Sequence, residues 1–81
     1  MTKNELNAKL CAVLTTLAEV PSAPETIIYM ATCEDLGEWE TVKQVLTLGN
    51  LATVTNHEVR ITEAGRAMAD KINKAMGVTH G

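Results

Sequence analysis

Between residues 52 and 61 apolar and polar side chains alternate. Ala52, Val54, Val59 and Ile61 are apolar, and Thr53, Thr55, Glu58 and Arg60 are polar. A period of two predicts a β-ribbon with one buried face and one wet face. Asn56-His57 lies between the two runs and predicts a two-residue turn. Asn tolerates positive φ, His less readily. That turn pairs Val54 with Val59 and Ala52 with Ile61. A slip of one residue would bury the charges, so the pattern argues for this register.

The period then becomes helical. Thr62 predicts an N-cap, and Glu63 puts a carboxylate in the first turn, where the macrodipole favours it. Ala64, Met68, Ile72 and Met76 predict the apolar line of a helix reaching Ala75 or Met76, with Gly77 as the residue beyond its end. Gly65 predicts a close approach to another element, because Gly inside a helix otherwise costs roughly 1 kcal/mol. Residues 78–81 read as a frayed tail.

The front half predicts three helices. Thr2-Lys3-Asn4-Glu5 has the form of a capping box. Leu6, Leu10, Val13, Leu14 and Leu17 follow at helical spacing, with Lys3, Lys9 and Thr16 off that face. Pro21 ends this helix. Ser22-Ala23-Pro24-Glu25 reads as a second capping box, opening a short helix over 24–33 with Ile27, Ile28 and Ala31 inward. Glu34-Asp35-Leu36-Gly37 predicts a turn with Leu36 tucked beneath it. A third helix is expected over 38–48. Val42, Val45 and Leu46 face the core, Trp39 lies a turn earlier on the same side, and Gly49-Asn50 closes it. Without repeats or linkers, the chain reads as a single domain over 1–81, frayed at 1–2 and 78–81.

Two short helices joined by a turn, then a ribbon, then a helix resemble a winged-helix domain. Gly49-Asn50-Leu51 and the stretch from Val59 to Arg66 are similar to the wing and following helix of MarR- and PadR-type regulators. The sharpest likeness is Ile61-Thr62-Glu63-Ala64-Gly65. The resemblance covers about 25–72 and singles out no subfamily. It implies a mainly α fold with a small β-hairpin: a winged helix-turn-helix of about four helices and a two-stranded wing. It further implies a small DNA-binding transcriptional regulator or accessory protein, of a bacterium or a mobile element. The third helix would enter the major groove and the wing would reach the backbone or minor groove. By position, Thr41, Lys43, Gln44, Thr47, His57 and Arg60 would contact duplex DNA. Terminal helices of such regulators often pair, so a homodimer through the first and last helices is expected, aided by Met68, Ile72 and Met76.

Charge complicates that reading. The 81 residues carry a formal net charge of −3. A groove-reading helix needs Arg, Lys, Asn or Gln at base edges and cations at phosphates. This helix begins with Glu38 and Glu40, just after Glu34 and Asp35, and against them stand Lys43, Arg60 and Arg66. Carboxylates beside phosphate weaken non-specific attraction. In one account Glu38 and Glu40 simply favour the helix N-terminus. In another the domain serves protein–protein interaction through an acidic third helix that does not read DNA, with Glu38, Trp39 and Glu40 meeting a basic or apolar partner. Trp39 is then an exposed hot spot; on the inner face it is the one large core anchor.

Other chemistry finds little support. There is no Phe, and Trp39 and Tyr29 are the only aromatics. Leu, Val, Ile, Ala and Met must build the core, with Met30, Met68 and Met76 as adaptable filler. Cys11 and Cys33 lie in no CxxC or Cys/His cluster and read as reduced, mostly buried thiols of a cytoplasmic protein. His57 and His80 do not suggest a metal site. Glu34, Asp35, Glu38 and Glu40 lack the spacing of a calcium loop. The absence of GxSxG, P-loop, GxGxxG and HExxH motifs predicts no enzyme and no cofactor. Neither a signal peptide nor an apolar run of about 18 residues is present, so no membrane association is expected.

Overall fold

A computed structural model describes residues 2–75. The elements run α1 (Lys3–Glu19), β1 (Ser22–Pro24), α2 (Glu25–Thr32), α3 (Leu36–Leu48), β2 (Ala52–Thr55), β3 (Glu58–Ile61) and α4 (Glu63–Ala75). The fold is mainly helical with a small antiparallel sheet of order β1-β3-β2. α1 starts as its sequence predicts: Thr2 Oγ1 accepts the Glu5 N–H at 3.1 Å. It buries Val13, Leu14 and Leu17, with Leu6 and Leu10 packed partly against the core.

The β2–β3 hairpin has the predicted register, with Ala52 opposite Ile61 and Val54 opposite Val59. Asn56 and His57 both take positive φ, 51° and 63°. That is the turn whose twist matches a tight hairpin. The sheet is not limited to the two expected strands, however. β1 pairs with the far edge of β3, setting Ala23 opposite Val59. Three residues that include a proline cannot display an alternation, so this strand leaves no periodic signal.

The predicted capping box at Ser22 is also corrected, because Ser22 lies in that strand. Pro24 precedes α2 with no side-chain cap. The Glu25 N–H instead donates to His57 O at 2.7 Å. The sheet thus satisfies a helix terminus that a side chain was expected to satisfy. α2 is only eight residues long. It buries Ile28, whereas Ile27 and Ala31, expected inward, are exposed. In this orientation the Glu25 carboxylate faces Trp39 and Lys43 of α3, and Ile28 is the fully buried residue of the helix.

α3 begins two residues before the predicted start. Asp35 Oδ1 accepts the Glu38 N–H at 2.8 Å, and Glu38 Oε1 accepts the Glu34 N–H at 3.0 Å. Leu36 therefore sits in the first helical turn, 58% exposed, and is not tucked beneath a loop. Trp39, Val42 and Leu46 are buried and Val45 half-buried. At the far end Leu51 N donates to Leu46 O and Asn50 N to Thr47 O. With Asn50 at φ 56° this is a Schellman closure, and Asn rather than Gly49 is its left-handed residue.

α4 is capped as expected. Thr62 Oγ1 accepts the Gly65 N–H at 3.0 Å and donates to Asn50 O at 2.6 Å. Its buried line is Gly65 and Ala69, with half-buried Ile72. The predicted line is one residue out of phase in its first two turns, since Ala64 and Met68 are exposed. Gly65 sets the phase: a Cβ there would fall on the Leu51 carbonyl oxygen and 2.8 Å from Ile61 Cγ1. Met30 and Met68 are surface residues rather than core filler. Met76, Gly77 and the tail at 78–81, with His80, lie outside the described residues. α1 and α4 pack on each other within the chain. Cys11 and Cys33 are unpaired with one another and half-buried, not deeply buried.

Candidate functional site: the outward face of α3 and the ribbon

By turning Trp39, Val42 and Leu46 inward, α3 sends Glu40, Thr41, Gln44 and Thr47 outward, all four exposed. With Lys43 they line an open concavity floored by Val54 of β2. Thr41, Lys43, Gln44 and Thr47 thus share one surface, as the sequence predicts. Arg60 does not join them. It lies on the outer face of the ribbon, in a separate concavity with Thr53, Thr55, Asn56 and Glu58. His57 lies in a third groove, with Glu25, Tyr29 and Leu36, which shares Glu40 and Lys43 with the first. The six residues expected to meet DNA are therefore spread over three adjoining surfaces.

Their hydrogen bonds are largely internal. Thr41 Oγ1 donates to Gly37 O at 3.1 Å, and Thr47 Oγ1 to Lys43 O at 3.0 Å. Both hydroxyl protons are used by the helix, which leaves oxygens that can only accept. Gln44 is the amide on this face, and it is exposed.

Every cation on this side has a carboxylate beside it. Lys43, the one Lys or Arg of α3, has its Nζ 2.7 Å from Glu25 Oε1 and 3.3 Å from Glu40 Oε1. Arg60 lies 3.4 Å from Glu58, and both side chains are exposed. Lys9 of α1 lies 3.3 Å from Glu38. Glu34, Asp35 and Glu40 remain exposed around the start of α3. The formal balance of the surface is acidic, and each of these cations has a carboxylate neighbour, held closely at Lys43 and loosely at Arg60.

Glu25 is the centre of this network. Its Oε1 accepts the Lys43 ammonium and the Trp39 indole N–H, each at 2.7 Å. Its Oε2 faces His57 Nδ1 at 3.3 Å. The hydrogen bond from Lys43, then that from Trp39, hold the Glu25 carboxyl well below its ordinary value, at about 2. The same bond raises the Lys43 ammonium above its usual value. One carboxylate therefore ties the start of α2, the middle of α3 and the tip of the ribbon together.

Trp39 and Glu38 need correction as partner contacts. Trp39 is 1% exposed, so it is the core anchor and not an external hot spot. Its indole N–H finds the charged acceptor that a buried indole requires. The Glu38 side chain is only 16% exposed and bonds Lys9. Of the three residues expected at a protein interface, Glu40 alone is open. Glu25 was not singled out from sequence; a carboxylate that meets side chains 14 and 18 positions away has no local spacing to betray it.

Among the described residues no group of three or more His, Cys, Asp or Glu is placed to hold a metal ion. No helix among them is long and apolar enough to cross a membrane. Comparison with protein-family models, curated proteins and solved structures finds no match.

Proposed function

We propose that this chain is a small winged-helix-type binding module whose α3–ribbon side meets a partner protein rather than duplex DNA. The winged-helix reading is supported by the order of elements: α2 and α3 joined by a short turn, the β2–β3 ribbon, then α4. β1 is compatible with it, since it anchors the ribbon to the segment that enters α2. The preference for protein rests on one observation, the capture of Lys43 by Glu25 and Glu40. Neutralisation of phosphates by Lys and Arg supplies most of the non-specific affinity for DNA, and it requires cations free to displace counterions.

A photo-crosslinking residue at Thr41 or Gln44, with Asp70 on α4 as the control site, tests this in cells. Adducts at Thr41 and Gln44 that survive nuclease and disappear with protease are expected. Nuclease-sensitive adducts at these positions would overturn the reading.

A second reading, DNA recognition by the middle of α3, draws on one feature. Thr41, Gln44 and Thr47 are exposed on one helix face. It requires Lys43 to leave Glu25 for phosphate.

A further inference from the structure

A groove runs between α2, the first turns of α3 and the ribbon tip, and it combines apolar and charged side chains. It is about 290 Å³ in volume. That is below the usual range for small-molecule pockets, roughly 300–1,000 Å³, and suits one long side chain better than a ligand. Tyr29, Leu36 and the edge of Trp39 form its apolar wall, and Glu25, Glu40, Lys43 and His57 its polar rim. Leu36 is 58% exposed at this wall, a large apolar side chain that the described residues leave more than half open. The carboxylates on the rim already hold one amine, since Lys43 Nζ bonds both Glu25 and Glu40. Glu40 keeps a side chain 59% exposed and thus has capacity for a second cation.

We infer that this groove receives an Arg or Lys of a partner protein, flanked in that partner by an apolar residue that covers Leu36. The inference rests on the protein-binding reading and supplies its partner chemistry. Apolar wall and acidic rim act on different parts of the same side chain. The stem packs along Tyr29 and Leu36, while the charged head reaches Glu40. Exposed carboxylates at Glu34 and Asp35, next in sequence to Leu36, favour further basic residues beside it. An acidic segment would be repelled by Glu40, and a purely apolar one would desolvate it without adding to its one contact with Lys43.

A display library of random dodecapeptides, selected against the whole chain, tests this. Enriched peptides are expected to carry Arg or Lys next to a large apolar residue. Their binding should weaken at least about tenfold in both Leu36→Ser and Glu40→Lys, a loss of the size expected at an interface anchor. Both positions are exposed, so each variant should unfold at close to the wild-type temperature. Acidic or neutral enriched peptides would overturn the inference, as would basic ones that bind both variants like wild type. Either result would leave a protein-binding surface elsewhere on the molecule. No enrichment would overturn it too, and with nuclease-sensitive crosslinks at Thr41 and Gln44 the protein-binding reading would fall with it.

Discussion

Lys43 Nζ lies 2.7 Å from Glu25 Oε1, bridging two helices whose partnered residues are 18 positions apart. The pair does two things at once. It fixes α3 against the start of α2, and it engages the only Lys or Arg of α3 with a carboxylate of its own chain. The first effect belongs to stability and the second to partner choice, so the two can be measured separately.

The stability effect has a sign in pH. The Glu25 carboxyl is held at about 2, below its ordinary 4.5. The folded state therefore binds this proton less readily than the unfolded chain. The stabilisation is fully present above about pH 5 and disappears as the pH falls through 4.5 towards 2. The paired side chains are 25% and 15% exposed. Solvent screening then limits the contribution to on the order of 2 kcal/mol. Glu25→Gln should lose most of that at neutral pH. Its urea midpoint should fall less steeply between pH 5 and 2 than that of the wild type. Parallel acid profiles for the two proteins would contradict the assignment.

Trp39→Phe separates packing from the hydrogen bond. The indole N–H meets a carboxylate at 2.7 Å. A hydrogen bond to a charged group contributes roughly 1.5–3 kcal/mol, and the smaller ring also leaves a void. Denaturant unfolding should register a loss of at least about 2 kcal/mol. In the wild type, Trp39 emission should be blue-shifted and resist acrylamide. Quenching as efficient as that of a free indole would mean that the side chain is not in the core.

Gly65→Ala sets propensity against geometry. On propensity alone the change should stabilise α4 by about 1 kcal/mol. The added methyl, however, meets the Leu51 carbonyl oxygen and Ile61 Cγ1. A backbone oxygen already accepting the Thr62 N–H cannot easily move aside. A net destabilisation of about 2–4 kcal/mol is expected, as for other overpacked contacts. A higher melting temperature would mean that α4 does not cross the chain at this point.

Thr62→Ala should cost about 1 kcal/mol or slightly more. The hydroxyl caps α4 and also bonds Asn50 O, which closes α3. Thr62→Ser keeps both bonds and should recover most of the loss in thermal unfolding. Equal losses in the two variants would assign the effect to the methyl group instead.

What the sequence disclosed was local. The alternation at 52–61 and the Asn56-His57 turn fixed the hairpin register, because both act within ten residues. Thr62 as a cap and Gly65 as a close approach were legible for the same reason. The Schellman closure at Asn50 was legible as a helix end, though not as to which residue turns left-handed. β1 was hidden because three residues have no period, and a neighbouring proline made them resemble a cap. The faces of α2 and α4 depart from their apolar patterns where a tertiary contact is made, by Glu25 in the one and Gly65 in the other. At the candidate site the residue types on α3 were readable, and their availability was not. Pairing of Lys43 with Glu25 depends on a tertiary crossing that no spacing encodes.

On the proposed reading, the α3–ribbon side has too little free positive charge to hold duplex phosphate. Fluorescence anisotropy of a labelled random duplex against the purified chain, at about 50 mM and about 200 mM salt, tests it most directly. No saturable binding is expected up to roughly 100 μM protein at the lower salt, the weak end of ordinary non-specific affinity. Saturable binding that falls steeply with salt, and is lost in Lys43→Ala and Arg60→Ala, would contradict it.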